Sequence, residues 1–206
     1  MKRLVIETAT AACSVALLHG ESVVAERHEV VGRGHAERLL PLIADLPDGG
    51  RAEAIWVDVG PGSFTGIRVG IAAARGLALG WGVPVGGYQS TAVLAVAALT
   101  GAGFAHELAA VLEGGHGEVF IQAFAADPFR ATGPVASLTP AAALAALDGR
   151  RAIGSGVRFL AALEPALEPS TALPRAADAR LLPPGMTALP PSPRYGRPPD
   201  AVPNQP

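Results

Sequence analysis

Cysteine is almost missing. Cys13 stands alone in a chain of 206 residues, which excludes an internal disulfide and a thiolate metal cluster. Histidine pairs are missing too. His19, His28, His35, His106 and His116 include no two spaced three or four apart, so no helical turn offers a pair to one ion. His35-Ala36-Glu37 has the His-x-Glu spacing of zinc deaminases but lacks their two-cysteine motif. No metal and no cofactor are expected. Charge is sparse: Asp, Glu, Lys and Arg make up 17%, with a net charge of −2. No Lys/Arg cluster forms the basic stripe of a chain that grips nucleic acid by itself. No run approaches the roughly 18 apolar residues of a membrane span. Lys2 and Arg3 lead into an apolar stretch as a signal peptide would, but Glu7, Thr8 and Thr10 interrupt it. A cytosolic protein without membrane contact is expected. Aromatics are only 5%, so packing should come from close backbone approach rather than large anchors.

What is present is half hydrophobic, much of it alanine, and enough for one large domain or two small lobes. Leu4–Ile6, Ser14–Leu18 and Val23–Val30 read as three strands. From His35 the period changes: Ala36, Leu39, Leu40, Ile43 and Leu46 share a helical stripe, interrupted by Pro41. Ala54–Val59 is a strand that runs into Gly60-Pro61-Gly62-Ser63-Phe64-Thr65-Gly66. A helix from about Thr65 to Leu79 follows, then a short strand at Val83–Val85 and a helix capped by Ser90 or Thr91.

The second half repeats the order. Leu108–Leu112 and Val119–Phe124 are strands, with a third at Val135–Leu138. Thr139-Pro140 opens an alanine-rich helix. Arg151–Ile153 is a strand, Gly154-Ser155-Gly156 a turn, and Val157–Leu163 a helix. This order implies an α/β duplication, although any α/β chain can be parsed in such a way. The expected parts are a lobe over 1–100, a reduced lobe over 104–182 and a proline-rich tail over 183–206, extended or disordered.

The glycine segment has two readings. Gly60, Gly62, Ser63, Thr65 and Gly66 form either an anion site at a helix start or a tight turn capped by Ser63 or Thr65. No Gly-Lys-Ser/Thr follows, so it is no Walker A loop. In the helix it opens, Gly66, Gly70 and the alanines near 73 form a small-residue stripe that admits another helix. Arg68, Ala72, Arg75 and Leu79 form a second stripe.

Gly60 to Gly70 followed by Ala74-Arg75-Gly76-Leu77-Ala78 resembles the hallmark of the TsaB (YeaZ) family. Ile6-Glu7-Thr8-Ala9-Thr10, Cys13 to Leu17 and His35 to Pro41 resemble its other segments, and Tyr195 to Ala201 its closing one. The likeness is dense over about the first hundred residues. It implies an actin-like, ribonuclease H-like (ASKHA) duplicated fold with two lobes. It also implies a non-catalytic partner in making threonylcarbamoyladenosine in tRNA. The partners implied are a TsaD-type catalytic subunit in a heterodimer and a TsaE-type ATPase, with tRNA met only through the complex. A homodimer of the lone chain is left open. The family docks through two helices, carried here by about His35 to Leu46 and Thr65 to Leu79. The expected interface residues are His35, Leu39, Leu40 and Ile43 on the first, and Arg68, Ile71, Ala72 and Arg75 on the second.

The sequence departs from the pattern at Glu7, where the family has Asp, and at Glu113 to Gly117, where it has Asp-Ala-Arg. No catalytic residue is expected. Glu7, Asp58 and Glu113 are the carboxylates a phosphotransferase would use for Mg²⁺, and they read as turn or cap acceptors. The alternative function is a small actin-like-fold nucleotide-dependent phosphotransferase. Cys13 alternates with Val15 and Leu17 and reads as core.

Overall fold

A computed structural model describes residues 1–101, 106–167 and 170–196. Two sheets organise them. The first has the order β3-β2-β1-β4-β5, with β1 Lys2–Glu7, β2 Ala12–His19, β3 Ser22–Val30, β4 Ala54–Asp58 and β5 Val85–Tyr88. The first three strands pair antiparallel, while β4 runs parallel to β1 and β5 parallel to β4. That pattern is the ribonuclease H-like sheet. The second sheet contains β6 Glu107–Gly115, β7 Glu118–Ala126, β8 Phe129–Ala131, β9 Ala136–Leu138 and β10 Arg151–Ile153. Here β7 pairs antiparallel with β6, and β10 runs parallel to β6 on its other side. Strands β4 and β10 therefore hold equivalent places, each followed by a glycine turn, and the fold is duplicated.

Side-chain alternation assigns the layers. Leu4 and Ile6 of β1 pack with Leu39, Ile43, Ile67 and Ile71 from helices α1 (His35–Ala44) and α2 (Phe64–Trp81). Val5, between them, faces the opposite way. It joins α3 (Ser90–Thr100) and Leu108, Ala110 and Leu112 of β6 in a core shared by both sheets. The far face of β6, Ala109 and Val111, packs under α4 (Pro140–Ala146) and α5 (Val157–Ala161). The result is helices, sheet, central helix, sheet, helices.

Several boundaries differ from expectation for physical reasons. Helix α1 starts at His35 and runs through Pro41; the lost hydrogen bond costs less than leaving the apolar stripe off the sheet. Helix α2 continues past Gly80 and ends at Gly82, whose φ of 69° suits only glycine well. Strand β8 has three residues and no alternation to reveal it. The lobe boundary expected between 100 and 104 falls on 102–105, outside the described residues.

The expected extended tail is docked, and so is the chain just before it. Proline density blocks long elements, yet the chain stays docked through Gly196. Residues Ala176–Leu181 form a 3-10 segment wedged between the sheets, where Ala176 N donates to Ser14 Oγ at 3.0 Å and Ala177 N to Glu26 Oε1 at 3.2 Å. Arg175 pairs with Glu26. After a 3-10 turn at Pro184–Met186, Leu189 makes a two-way backbone bridge with Gly87 of β5, at 2.6 and 3.0 Å. Arg194 N then donates to the Val59 carbonyl at 2.7 Å. Residues 197–206, which include the rest of the closing segment, lie outside those described.

Candidate functional site

Helix α2 begins where Ser63 Oγ accepts the Gly66 N–H at 3.3 Å. Ser63 N donates to the Ala9 carbonyl at 2.7 Å. These donors are spent on the chain itself, which favours the capped turn over the anion site for Gly60, Gly62, Ser63 and Gly66. A Cβ on Gly62 would overlap the Ala9 carbonyl, and one on Gly66 the Thr8 carbonyl. Gly70 likewise abuts Thr8 Oγ1. The small stripe of α2 therefore serves its own strand end, not a foreign helix. Thr65 is exposed beside the turn.

The expected interface residues divide sharply. Leu39 is 1% exposed and Ile43 3%, and Ile71 is buried with them. These three are the stripe that seals the sheet, so they cannot meet a partner. His35 is buried too, its Nε2 lying 2.8 Å from the Thr10 carbonyl and 3.2 Å from that of Ala12. It ties the start of α1 to the β1–β2 turn. Leu40, at 54% exposure, and Arg68, Ala72 and Arg75 remain on the outer face. Two large apolar residues join them that were not among the interface candidates: Leu79, 87% exposed, and Phe64, 53% exposed. Leu79 already stood on the arginine stripe at 68, 72, 75 and 79. Ala36, Pro41 and Ala44 extend the open face on α1.

Arginines 68 and 75 are not free. Arg68 Nε donates to Tyr195 Oη at 2.8 Å, and Arg75 Nη2 to the Pro191 carbonyl at 2.8 Å. The Arg68 guanidinium sits 3.6 Å from the Phe64 ring centre, and the Phe64 and Tyr195 rings are 4.8 Å apart. Only the resemblance of the closing segment pointed at Tyr195; nothing local in the sequence predicts that it meets α2.

The carboxylates that could hold a metal are sealed. Glu7 is fully buried, accepting from Ala9 N at 3.1 Å and from Ser90 Oγ at 3.0 Å on both oxygens. Asp58, also fully buried, accepts from Thr8 N at 2.8 Å and Thr8 Oγ1 at 3.0 Å. Burial, and then the nearby Asp58 charge, hold the Glu7 carboxyl well above the usual range. Burial raises Asp58 to about 6. Glu113 is elsewhere, paired with Arg158 at 2.7 Å. Among the described residues no three His, Cys, Asp or Glu form a group fit for a metal ion. Cys13 is core, its thiol pushed up to about 11 by burial.

A cleft of about 730 Å³ lies between the halves, lined by Thr10, Arg33, Ser63, His116, Ser155 and Tyr195 among others. Glu113 lines it, but Glu7 and Asp58 do not. It thus lacks the paired acids that phosphoryl transfer in this fold would need.

Known proteins match this architecture. The family model for TsaD, tRNA N6-adenosine threonylcarbamoyltransferase, matches residues 22–136. The tRNA threonylcarbamoyladenosine biosynthesis protein TsaB of Escherichia coli is 41% identical over 125 residues, 58% of this chain and 53% of that protein. Its Haemophilus influenzae counterpart is 44% identical over 88 residues, 40% of this chain and 36% of that one. The chain thus spans about half, or less, of the length of these curated relatives. The structure of YeaZ from Pseudomonas aeruginosa superposes with a TM-score of 0.73 at 31% identity, covering 87% of this chain and 89% of that one. A second Pseudomonas aeruginosa structure, of a protein with similarity to peptidase YeaZ, gives 0.72 at 33% identity over 86% and 87%. With a TsaD-type match over more than half its length and a YeaZ structure matched over most of it, this chain belongs to the TsaB (YeaZ) family.

Proposed function

We propose that this chain is a non-catalytic partner of a TsaD-type threonylcarbamoyltransferase in forming N6-threonylcarbamoyladenosine in tRNA. The observation that carries the reading is the outer face of α1 and α2. It exposes Leu40, Leu79 and Phe64 beside Ala72, with two arginines and no acid on α2. An exposed apolar face of this kind invites a partner, and arginines next to small residues suit one that brings carboxylates. The relatives named for this pathway support the choice of partner. A TsaE-type ATPase joins the assembly, and tRNA is bound through the complex, since the chain's net charge is −2. In this reading the lobe over 1–100 docks, the lobe over 104–182 braces it, and the protein works in the cytosol. Among the described residues no helix is long and apolar enough to cross a membrane.

The phosphotransferase reading has less support, because the acids it needs are buried and accept hydrogen bonds from Thr8, Ala9 and Ser90 inside the fold. The test is reconstitution. The chain should co-purify with a TsaD-type subunit and raise its modification of tRNA, while showing no turnover alone. ATP hydrolysis by the lone chain that is lost in Glu7→Ala would sink the non-catalytic reading.

A further inference from the structure

The tail from Leu189 to Gly196 crosses the first sheet and ends on helix α2. Its path is prepared at three glycines. A Cβ on Gly60 would strike the Arg194 carbonyl and one on Gly86 the Thr187 carbonyl just before the tail, while one on Gly87 would strike the Val59 side chain and crowd the carbonyls of Leu189 and Pro190. Two backbone bonds to Gly87 and one to Val59 hold it there. At the end of the track it takes both arginines of α2, through the Pro191 carbonyl and Tyr195 Oη.

These contacts act on two long side chains that would otherwise sample many rotamers. Each guanidinium carries five N–H donors. Arg68 and Arg75 each give one of them to the tail, which leaves the others for a carboxylate. The Phe64 ring under Arg68 adds a second restraint. A partner that meets these arginines finds their ordering cost already met, which raises affinity without a new contact. Because α2 carries no acid, the partner chemistry that fits is a helix face with small apolar residues and carboxylates.

Resting on the partner reading above, we infer that the tail is a third element of the docking face. Tyr195 and Pro191 position Arg68 and Arg75 for acidic groups of the TsaD-type subunit. Tyr195 is a positioning residue: it works through Arg68.

A double-mutant cycle tests this. Affinity of the full chain for the TsaD-type subunit is measured by calorimetry for wild type, Tyr195→Phe, Arg68→Ala and the double variant, each checked for folding by circular dichroism. Tyr195→Phe keeps the ring and loses the acceptor, and should weaken binding about fivefold. Arg68→Ala should weaken it roughly tenfold or more, and the double variant no further than Arg68→Ala alone. Wild-type binding by Tyr195→Phe would overturn the inference. So would losses that multiply in the double variant, since Tyr195 would then act independently of Arg68. If the same losses appear in self-association instead, measured by sedimentation, the occupant is a second copy and the acidic subunit is wrong. A wild-type chain that does not bind the subunit defeats the partner reading itself, and this inference with it.

Discussion

After β4, the turn at Gly60–Ser63 sends the Ser63 N–H to the Ala9 carbonyl at 2.7 Å; after β10, the turn at Gly154–Gly156 sends the Gly156 N–H to the Val111 carbonyl at 2.9 Å. Gly62 and Gly154 both press on those same carbonyls, each at a φ that only glycine adopts easily. The device is the same, and in both halves it packs a turn against the first strand or its end. What differs is the helix that follows. The first turn launches 18 residues, whose outer stripe stays open; the second launches five. The glycine signature therefore marks a packing device. In the reading proposed above the function lies in the longer helix it positions, while the shorter copy packs on the far face of β6.

The sharpest way to break this comparison is to fill both turns. Gly66→Ala drives a Cβ into the Thr8 backbone, which outweighs the gain in helix propensity of about 1 kcal/mol. It should lower stability by roughly 3 kcal/mol. Gly156→Ala meets Leu112 backbone less closely, at 3.0 Å, and should cost roughly 1 kcal/mol. Equal midpoint shifts in urea would mean that the halves are equally critical.

Among the described residues, only the first half seals a carboxyl pair. Folded Glu7 and Asp58 hold protons more tightly than the unfolded chain does. Their contribution is complete below about pH 4, the unfolded value, and is lost as pH rises through about 6 for Asp58, with Glu7 shifted in the same direction. Stability should fall by on the order of 2 kcal/mol as pH rises from about 4 through 6, seen as a lower melting temperature. Glu7→Gln should flatten that slope. A slope unchanged in Glu7→Gln would show that the proton resides elsewhere.

The halves meet at Thr91 of α3, whose Oγ1 donates to Gln122 Oε1 of β7 at 2.7 Å. Thr91→Val leaves that buried acceptor unpaired and should cost about 1 kcal/mol, visible as one cooperative transition at lower temperature. Two separated transitions would mean that the lobes fold independently. The smallest effect belongs to the open stripe: Leu79→Ser should change stability by no more than about 0.5 kcal/mol, while weakening capture of the TsaD-type subunit.

Much of the fold was legible because its signals are local. Alternation marks β1 and β2, the turn residues mark Gly60 and Gly154, and Thr139-Pro140 opens α4 with Thr139 Oγ1 accepting from Ala142 N at 3.4 Å. The site was half legible. A helical stripe of Leu39, Ile43 and Ile71 looks identical whether it faces a partner or its own sheet. Periodicity gives the angle between faces and not which face is covered. The arginine stripe at 68, 72 and 75 did identify the open side. The docking of the tail was not legible because proline excludes regular elements but not docking: Leu189 binds Gly87 through two backbone bonds and Arg194 binds Val59 through one, far away in sequence.

Ala72 tests the central claim most directly. It is exposed in the middle of the open stripe, between the two arginines. Ala72→Trp should fold with the wild-type circular dichroism spectrum and melting temperature. It should nonetheless fail to pull down the TsaD-type subunit and fail to support tRNA modification in the reconstituted system. A folded Ala72→Trp chain that still binds and still supports modification would contradict the helix-face account.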